Sequence, residues 1–266
     1  MDTQNGTSSD RDGQGESPQQ TIYKPTVQAY NQWAATYDSD GNFLQKLDTM
    51  MLDKIMPYLF DVLPHAPKLV ELGCGTGRNT VRLQSVPGAS IWALDNSDGM
   101  LQIAKDRCRS MRESLPDPNK AESQEFASRD ILTFHATEST WDPMKNADAI
   151  ISTLVLEHIP LDQFFSVCSK LLRPGGHLLC TNMHSDMGAI SQAGFVDPVT
   201  GNKVRALSYA HTVQDFMTCA GKWDFTLLWG PVERKVETID LVELGDRGRK
   251  WVGINAWFGV ILKKLG

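Results

Sequence analysis

The sequence predicts an α/β fold, a doubly wound and mostly parallel sheet of seven strands preceded by N-terminal helices. Two observations carry that prediction. From Lys68 onward, short apolar runs alternate with longer amphipathic stretches, the pattern of repeated βαβ units. The first of those runs breaks into glycines at its carboxyl end and passes directly into a helical stretch. A solenoid is excluded, because no self-similarity appears at a period of about 20 to 50 residues.

Each element has its own reason. Residues 1–21 hold no large apolar residue after Met1 and are dense in Gly, Ser, Gln and Asp, so they are expected to be a disordered tail. Pro25 suits the first turn of a helix, and Tyr30, Trp33 and Tyr37 recur at spacings of three and four, which predicts a short helix over 26–37 with the rings on one face. After the break at Ser39-Asp40-Gly41, the residues Leu44, Leu47, Met51, Ile55, Tyr58 and Leu59 predict a second helix over 43–60. The strand candidates are Leu69–Leu72, Ser90–Leu94, Glu125–Ser128, Ala147–Ser152, His177–Thr181, Phe225–Trp229 and Asn255–Leu262. Helices are expected near 78–85, 98–113, 161–172 and 212–220, and the proline-containing stretch Leu115–Gln124 reads as a surface insertion. The expected organisation is one domain over 22–266, with 22–60 as an N-terminal helical lid.

Composition limits the partners. Twenty-six Lys and Arg face 32 Asp and Glu, a net charge of -6, which denies the surface the positive field that phosphate backbones require. Nucleic acid is therefore not an expected partner. Five cysteines, an odd number with no C-x-x-C pair, indicate neither a disulfide framework nor a zinc site, and no metal is expected. No apolar run reaches the roughly 18 residues of a spanning helix, and the polar start is unlike a secretion signal, so a cytoplasmic location is expected and a membrane is not. The oligomeric state is not legible.

The chemistry concentrates at Lys68-Leu69-Val70-Glu71-Leu72-Gly73-Cys74-Gly75-Thr76-Gly77-Arg78-Asn79. Glycines there permit a tight turn and let backbone amides approach a ligand. The third glycine comes one place earlier than in the dinucleotide pattern, and Glu71 puts a carboxylate beside the turn; both features suit a cationic ligand better than a pyrophosphate. Asp95 ends the second strand, with Asn96 beside it, where an acidic side chain can accept both hydroxyls of a ribose. Met100 and Leu101 are candidates for apolar contact with an adenine ring, and Asp130-Ile131 for its other edge and amino group.

The segments E-L-G-C-G-T-G-R-N-T (71–80), A-L-D-N-S-D-G-M-L (93–101), S-R-D-I-L (128–132) and L-E-H-I (156–159) together resemble motifs of class I S-adenosylmethionine-dependent methyltransferases. The resemblance covers residues 26–264 and is nearest the ubiquinone/menaquinone-type small-molecule branch, whose Y-x-x-x-A-x-x-Y-D element is similar to Tyr30 through Asp38. It implies strand order 3-2-1-4-5-7-6 with the last strand antiparallel, and S-adenosylmethionine as cofactor. It also implies Glu71, Gly73 and Gly75 at the methionine end, Asp95 at the ribose, Asp130 and Ile131 at the adenine, and Tyr37 closing over the methionine portion. Leu171 through Gly176 resembles the turn that feeds the fifth strand.

On the acceptor side, transfer from a sulfonium is an in-line displacement in which alignment supplies much of the acceleration, and a base matters when the acceptor must first lose a proton. His158 is the first candidate for that base, with His184 and His211 behind it; one Glu and one His in L-E-H-I fall short of a metal site. The long segment 182–210, with a hairpin turn read at Asp197–Asn202, is expected to line the acceptor site, with Tyr209 and His211 near its exit. Trp223, Trp229, Trp251 and Trp257 read mainly as core, and Arg247-Gly248-Arg249-Lys250 as a solvated connection. The expected acceptor is a small, aromatic or polyketide-like biosynthetic intermediate. Methylation of a protein or RNA, and non-catalytic binding of the cofactor, are the competing readings.

Overall fold

The computed structural model describes residues 20–114, 123–135 and 137–266. The expectations for residues 1–19 and for most of Leu115–Gln124 lie outside the described residues. The described chain opens with strand β1 (Thr21–Lys24), so the expected boundary of the tail at residue 21 falls inside an ordered strand.

Helix α1 (Thr26–Trp33) is shorter than the periodicity predicts and passes into turns through Asp38, yet Tyr37 still packs against Tyr30 at 6.0 Å and Trp33 at 4.9 Å. Helix α2 (Phe43–Phe60) matches its expected bounds; Asn42 caps it by accepting from Leu44 N, and Leu47, Leu52, Ile55 and Leu59 are fully buried. Each such side chain contributes about 1.5–3 kcal/mol on leaving water.

The alternating units follow: β2 (Lys68–Leu72), α3 (Thr80–Leu83), β3 (Ser90–Asp95), α4 (Asp98–Glu113), β4 (Ser123–Ser128), β5 (Ala147–Thr153), α5 (Leu161–Leu171) and β6 (Leu172–Met183). The fifth strand thus starts earlier than the expected His177, because the Pro174-Gly175-Gly176 kink is carried inside it as a register irregularity against β5. Helix α6 (Ser185–Ile190), β7 (Gly194–Val196), β8 (Lys203–Ala206), α7 (Val213–Lys222), β9 (Phe225–Lys235), α8 (Leu241–Leu244) and β10 (Asn255–Lys264) complete the chain.

The seven-stranded sheet runs β4, β3, β2, β5, β6, β10, β9, which is the expected 3-2-1-4-5-7-6, and β10 is antiparallel to both neighbours. Apolar clusters cover both faces. Helix α2 packs with Leu69, Ile91, Ile151, Trp257 and Ile261 on one side. Phe164, Phe165 and Phe216 of α5 and α7 pack against Val70, Ile150 and Val260 on the other.

The segment 182–210 is not a plain loop. Asn182 and Met183 finish β6, and the turn expected at Asp197–Asn202 joins β7 to β8 as an antiparallel hairpin. Strand β8 then pairs in parallel with β1 to give a second, three-stranded sheet. Trp33 stacks on Phe195 at 5.2 Å and buries Ala29, Val204 and Ala206 with it, so the N-terminal helix and the hairpin form one small layer over the carboxyl edge of the main sheet. Among the described residues, no helix is long and apolar enough to cross a membrane.

Candidate active site

The site begins where β2 stops. Gly73 has φ +72° and its missing side chain leaves room for Val155, whose Cγ2 would lie 2.2 Å from any Cβ there. Gly75 also has positive φ, but nothing lies within 4 Å of where its Cβ would be, so its backbone faces open space. Cys74 N donates to Leu94 O at 2.8 Å, which ties the turn to the end of β3. There Asp95 accepts from Gly75 N at 2.8 Å and Ser97 N at 2.9 Å, so both carboxylate oxygens are anchored by backbone. Burial raises the Asp95 pKa from its ordinary value, and those amides oppose the rise.

Gly73, Gly75, Asp95, Asn96, Asp130, Ile131, Tyr37 and His158 line one cavity of about 730 Å³ at the carboxyl ends of the strands. Tyr30, Leu94, Arg129, Leu132, Thr153 and Leu154 join them, none of which sequence reasoning had assigned to the site. Tyr30 carried a signal in its place on the aromatic face. Leu154 carried none, and its φ of +56°, rare for a branched side chain, places it at the wall of the cavity. Asp130 also caps the short turn that follows, accepting from Leu132 N at 2.9 Å.

Five of the expected residues do not reach the cavity. Met100 is fully buried beneath the Ser97 cap of α4 and packs into the interior, and Leu101 after it is buried as well. Glu71 points to the far side of the turn, where Thr80 Oγ1 donates to Oε2 at 2.6 Å, and burial pushes its pKa up to about 7. Tyr209 is half exposed, and only its backbone N reaches inward, to Glu157 O. His211 stacks on Tyr209 and is bonded to Ile159 O at 2.8 Å, and neither residue lines a cavity at the sheet edge. His184, the third histidine considered, is engaged with Glu233 at 2.7 Å on the far flank.

The small layer is pinned over the edge at two points. Asn31 Oδ1 accepts from Ser97 Oγ at 2.8 Å and Gly99 N at 3.0 Å. Asp38 accepts from Thr76 Oγ1 at 2.9 Å and forms an ion pair with Arg107 at 2.6 Å. Below it Asp48, fully buried in α2, is matched by Arg78, Thr181 and Trp257, so its charge is compensated.

A second cavity of about 1030 Å³ lies beneath the layer, between α1, the hairpin, α6 and the segment around Trp251. Tyr30, Tyr37 and Leu154 line both cavities and form the wall between them. Phe43, Met183, Met187, Phe195 and Trp251 supply an apolar lining, and Glu157 enters it from the turn after β5. Glu157 is buried, and among the described residues its Oε2 has no hydrogen-bond partner; burial raises its pKa, against the opposing effect of His158. His158 itself has both ring nitrogens engaged, Nδ1 with Leu207 O at 2.7 Å and Nε2 with Tyr30 Oη at 2.9 Å. Since a carbonyl only accepts, Nδ1 carries a proton, and in the neutral ring Nε2 accepts from Tyr30. That geometry leaves the first candidate base no free nitrogen. Among the described residues, no cluster of metal-ligating side chains forms.

Residues 70–180 match a methyltransferase domain family. Over 263 residues, 90% of each chain, the sequence is 41% identical to a protein of Emericella nidulans described as an uncharacterized methyltransferase. It is 27% identical over 114 residues to the demethylmenaquinone methyltransferase of Tropheryma whipplei, covering 42% of this chain and 40% of that one. The structure superposes on the N-methyltransferase NodS of Bradyrhizobium japonicum WM9 in complex with S-adenosyl-L-homocysteine with a TM-score of 0.57, 16% identity, and coverage of 91% of this chain and 99% of the other.

Proposed function

Because this chain belongs to the S-adenosylmethionine-dependent methyltransferases, we propose that it transfers the cofactor's methyl group to an oxygen, nitrogen or carbon of a small biosynthetic intermediate held in the second cavity. The observation that carries this reading is the wall shared by Tyr30, Tyr37 and Leu154, a partition between the cavity at the ends of β2 and β3 and the second cavity beneath the cover.

In this reading the backbone of Gly73 and Gly75 receives the methionine end, Asp95 with Asn96 receives the ribose, and Asp130 with Ile131 receives the adenine. The sulfonium carbon then faces the partition. The bond between sulfur and methyl breaks as the acceptor's lone pair forms the new bond on the opposite side, and alignment supplies up to about 7–11 kcal/mol of the acceleration. The cofactor arrives with its leaving group in place, so the protein's task is to hold the two reactants in line and dry.

Residues 22–60 and the segment 182–210 serve together as the cover that excludes water. Glu157 takes the role first given to His158: it is the group positioned to receive a proton that the acceptor releases, while His158 orients Tyr30 in the partition. All five cysteines are free and buried, in keeping with a cytosolic protein.

Incubation with methyl-labelled S-adenosylmethionine and a small-molecule extract of the producing cells tests the reading. Label in small molecules is the expected result; label confined to protein or RNA, or cofactor binding without transfer, overturns it.

A further inference from the structure

The second cavity mixes apolar and polar walls and carries a group of basic side chains at its rim. Lys203, at the start of β8, and Arg247 and Lys250, from the segment before β10, line it together, three cations drawn from two distant parts of a chain whose net charge is -6. The charged residues of the run Arg247 to Lys250 are solvent-exposed, as expected of a connection, but Arg247 and Lys250 also line the chamber.

Their pairing is incomplete. Arg247 donates to Asp40 O and lies 3.9 Å from Asp40 Oδ1, so one acid of the rim is already committed to it. Lys250 rests over the Trp251 ring at 4.8 Å with its ammonium exposed. Among the described residues, neither Lys203 nor Lys250 forms an ion pair. Burial and the neighbouring charges of Arg205, Lys250 and Arg247 depress the Lys203 pKa, the signature of cations held together without a counter-charge. Among the described residues, the only other acid lining the chamber is Glu157, buried, with its pKa raised by that burial.

The chamber thus brings together a buried carboxyl with one unpartnered oxygen, the apolar side chains of Phe43, Met187 and Phe195, and, among the described residues, two ammonium groups without an ion pair at its rim. We propose that the acceptor is an acidic small molecule whose apolar body fills this chamber and whose anionic group sits between Lys203 and Lys250, away from the methylated atom. The inference rests on the second cavity being the acceptor site. Charge then fixes which end of the acceptor enters first, because an anion driven toward Glu157 would be repelled. It also explains how a weakly basic rim on an acidic protein serves selection: at a partly enclosed mouth, an ammonium to carboxylate contact is charge-assisted and less screened than on an open surface. The confinement of these cations to one rim favours one small anion over a polymer backbone, which needs an extended track.

The test uses the full chain with methyl-labelled S-adenosylmethionine and a cell extract first divided on an anion exchanger into a retained acidic pool and an unretained pool. Label is expected in the acidic pool, and Lys203→Gln/Lys250→Gln is expected to raise KM for that acceptor roughly tenfold, the loss of two charge-assisted contacts, with kcat and the cofactor Kd little changed. The preference should also weaken as salt is raised. Label in the unretained pool, or an unchanged KM in the double variant, overturns the anionic acceptor while leaving small-molecule methylation standing. Label found only in macromolecules overturns both.

Discussion

Tyr30 in the N-terminal helix and His158 in the turn after the fourth sheet strand are joined by a hydrogen bond of 2.9 Å across 128 residues of sequence. With Nδ1 of the same ring held by Leu207 O at 2.7 Å, one imidazole links the cover helix, the hairpin segment and the sheet edge. His158 is therefore a positioning residue in this account. His158→Ala and Tyr30→Phe should each lower kcat roughly tenfold, through about 1–2 kcal/mol of lost hydrogen bonding, and leave the shape of the pH–rate profile intact. Loss of the acidic limb in His158→Ala would return the histidine to the role of base.

Glu157 gives the opposite expectation. Its carboxyl is held above the ordinary range by burial, and only the ionised form can take a proton, so kcat/KM should fall as pH drops through that raised value. Glu157→Gln keeps the shape and removes the charge. It should cost about 10²–10⁴ in kcat with an acceptor that loses a proton, and should abolish the acidic limb, with cofactor affinity unaltered by calorimetry. A Gln variant that keeps wild-type rate and profile rules the residue out as proton acceptor.

Asp95 is tested by binding. Asp95→Ala should weaken S-adenosylhomocysteine by at least about tenfold, equivalent to roughly 1.4 kcal/mol, if both hydroxyls of the ribose rest on it. Because the side chain also accepts from Gly75 N and Ser97 N, the variant's melting temperature should be measured alongside. Asp95→Asn, which retains one acceptor, should fall between the two.

Glu71 makes a stability prediction with a definite sign. Its folded pKa of about 7 lies above the reference value of 4.5, so between those two values the folded state holds more protons than the unfolded one. Stability from this group is therefore complete below about pH 4.5 and is lost as pH rises through about 7, a penalty on the order of 3 kcal/mol. Glu71→Gln should melt higher than wild type at pH 8, with the difference vanishing below pH 5. An equal difference at both pH values would contradict the assignment.

Much of the sheet, and the convergence of several candidate residues on one cavity, were legible because they depend on local pattern. Strands such as Leu69–Leu72 and Ser90–Leu94 are short apolar runs ending in turn residues, and Asp95 and Gly75 sit at the ends of those strands wherever the sheet is wound this way. What sequence spacing does not carry is the direction a side chain takes after a bend. Glu71 belongs to the motif but points away from the cavity toward Thr80, and Met100 turns into the interior under the Ser97 cap. Tyr30 and Leu154 enter the partition only because tertiary contacts, His158 for one and a left-handed backbone for the other, aim them there. The pairing of β1 with β8, which closes the cover, joins residues about 180 positions apart and leaves no trace in local periodicity.

The central claim is that the cavity bounded by Gly73, Gly75 and Asp95 holds the cofactor with its reactive end against the partition of Tyr30, Tyr37 and Leu154. A crystal structure with S-adenosylhomocysteine measures this directly. Ribose hydroxyls on Asp95, adenine beside Asp130 and Ile131, and sulfur facing the second cavity are the expected result. Adenosine seated elsewhere, or sulfur directed away from Tyr30 and Tyr37, would contradict it.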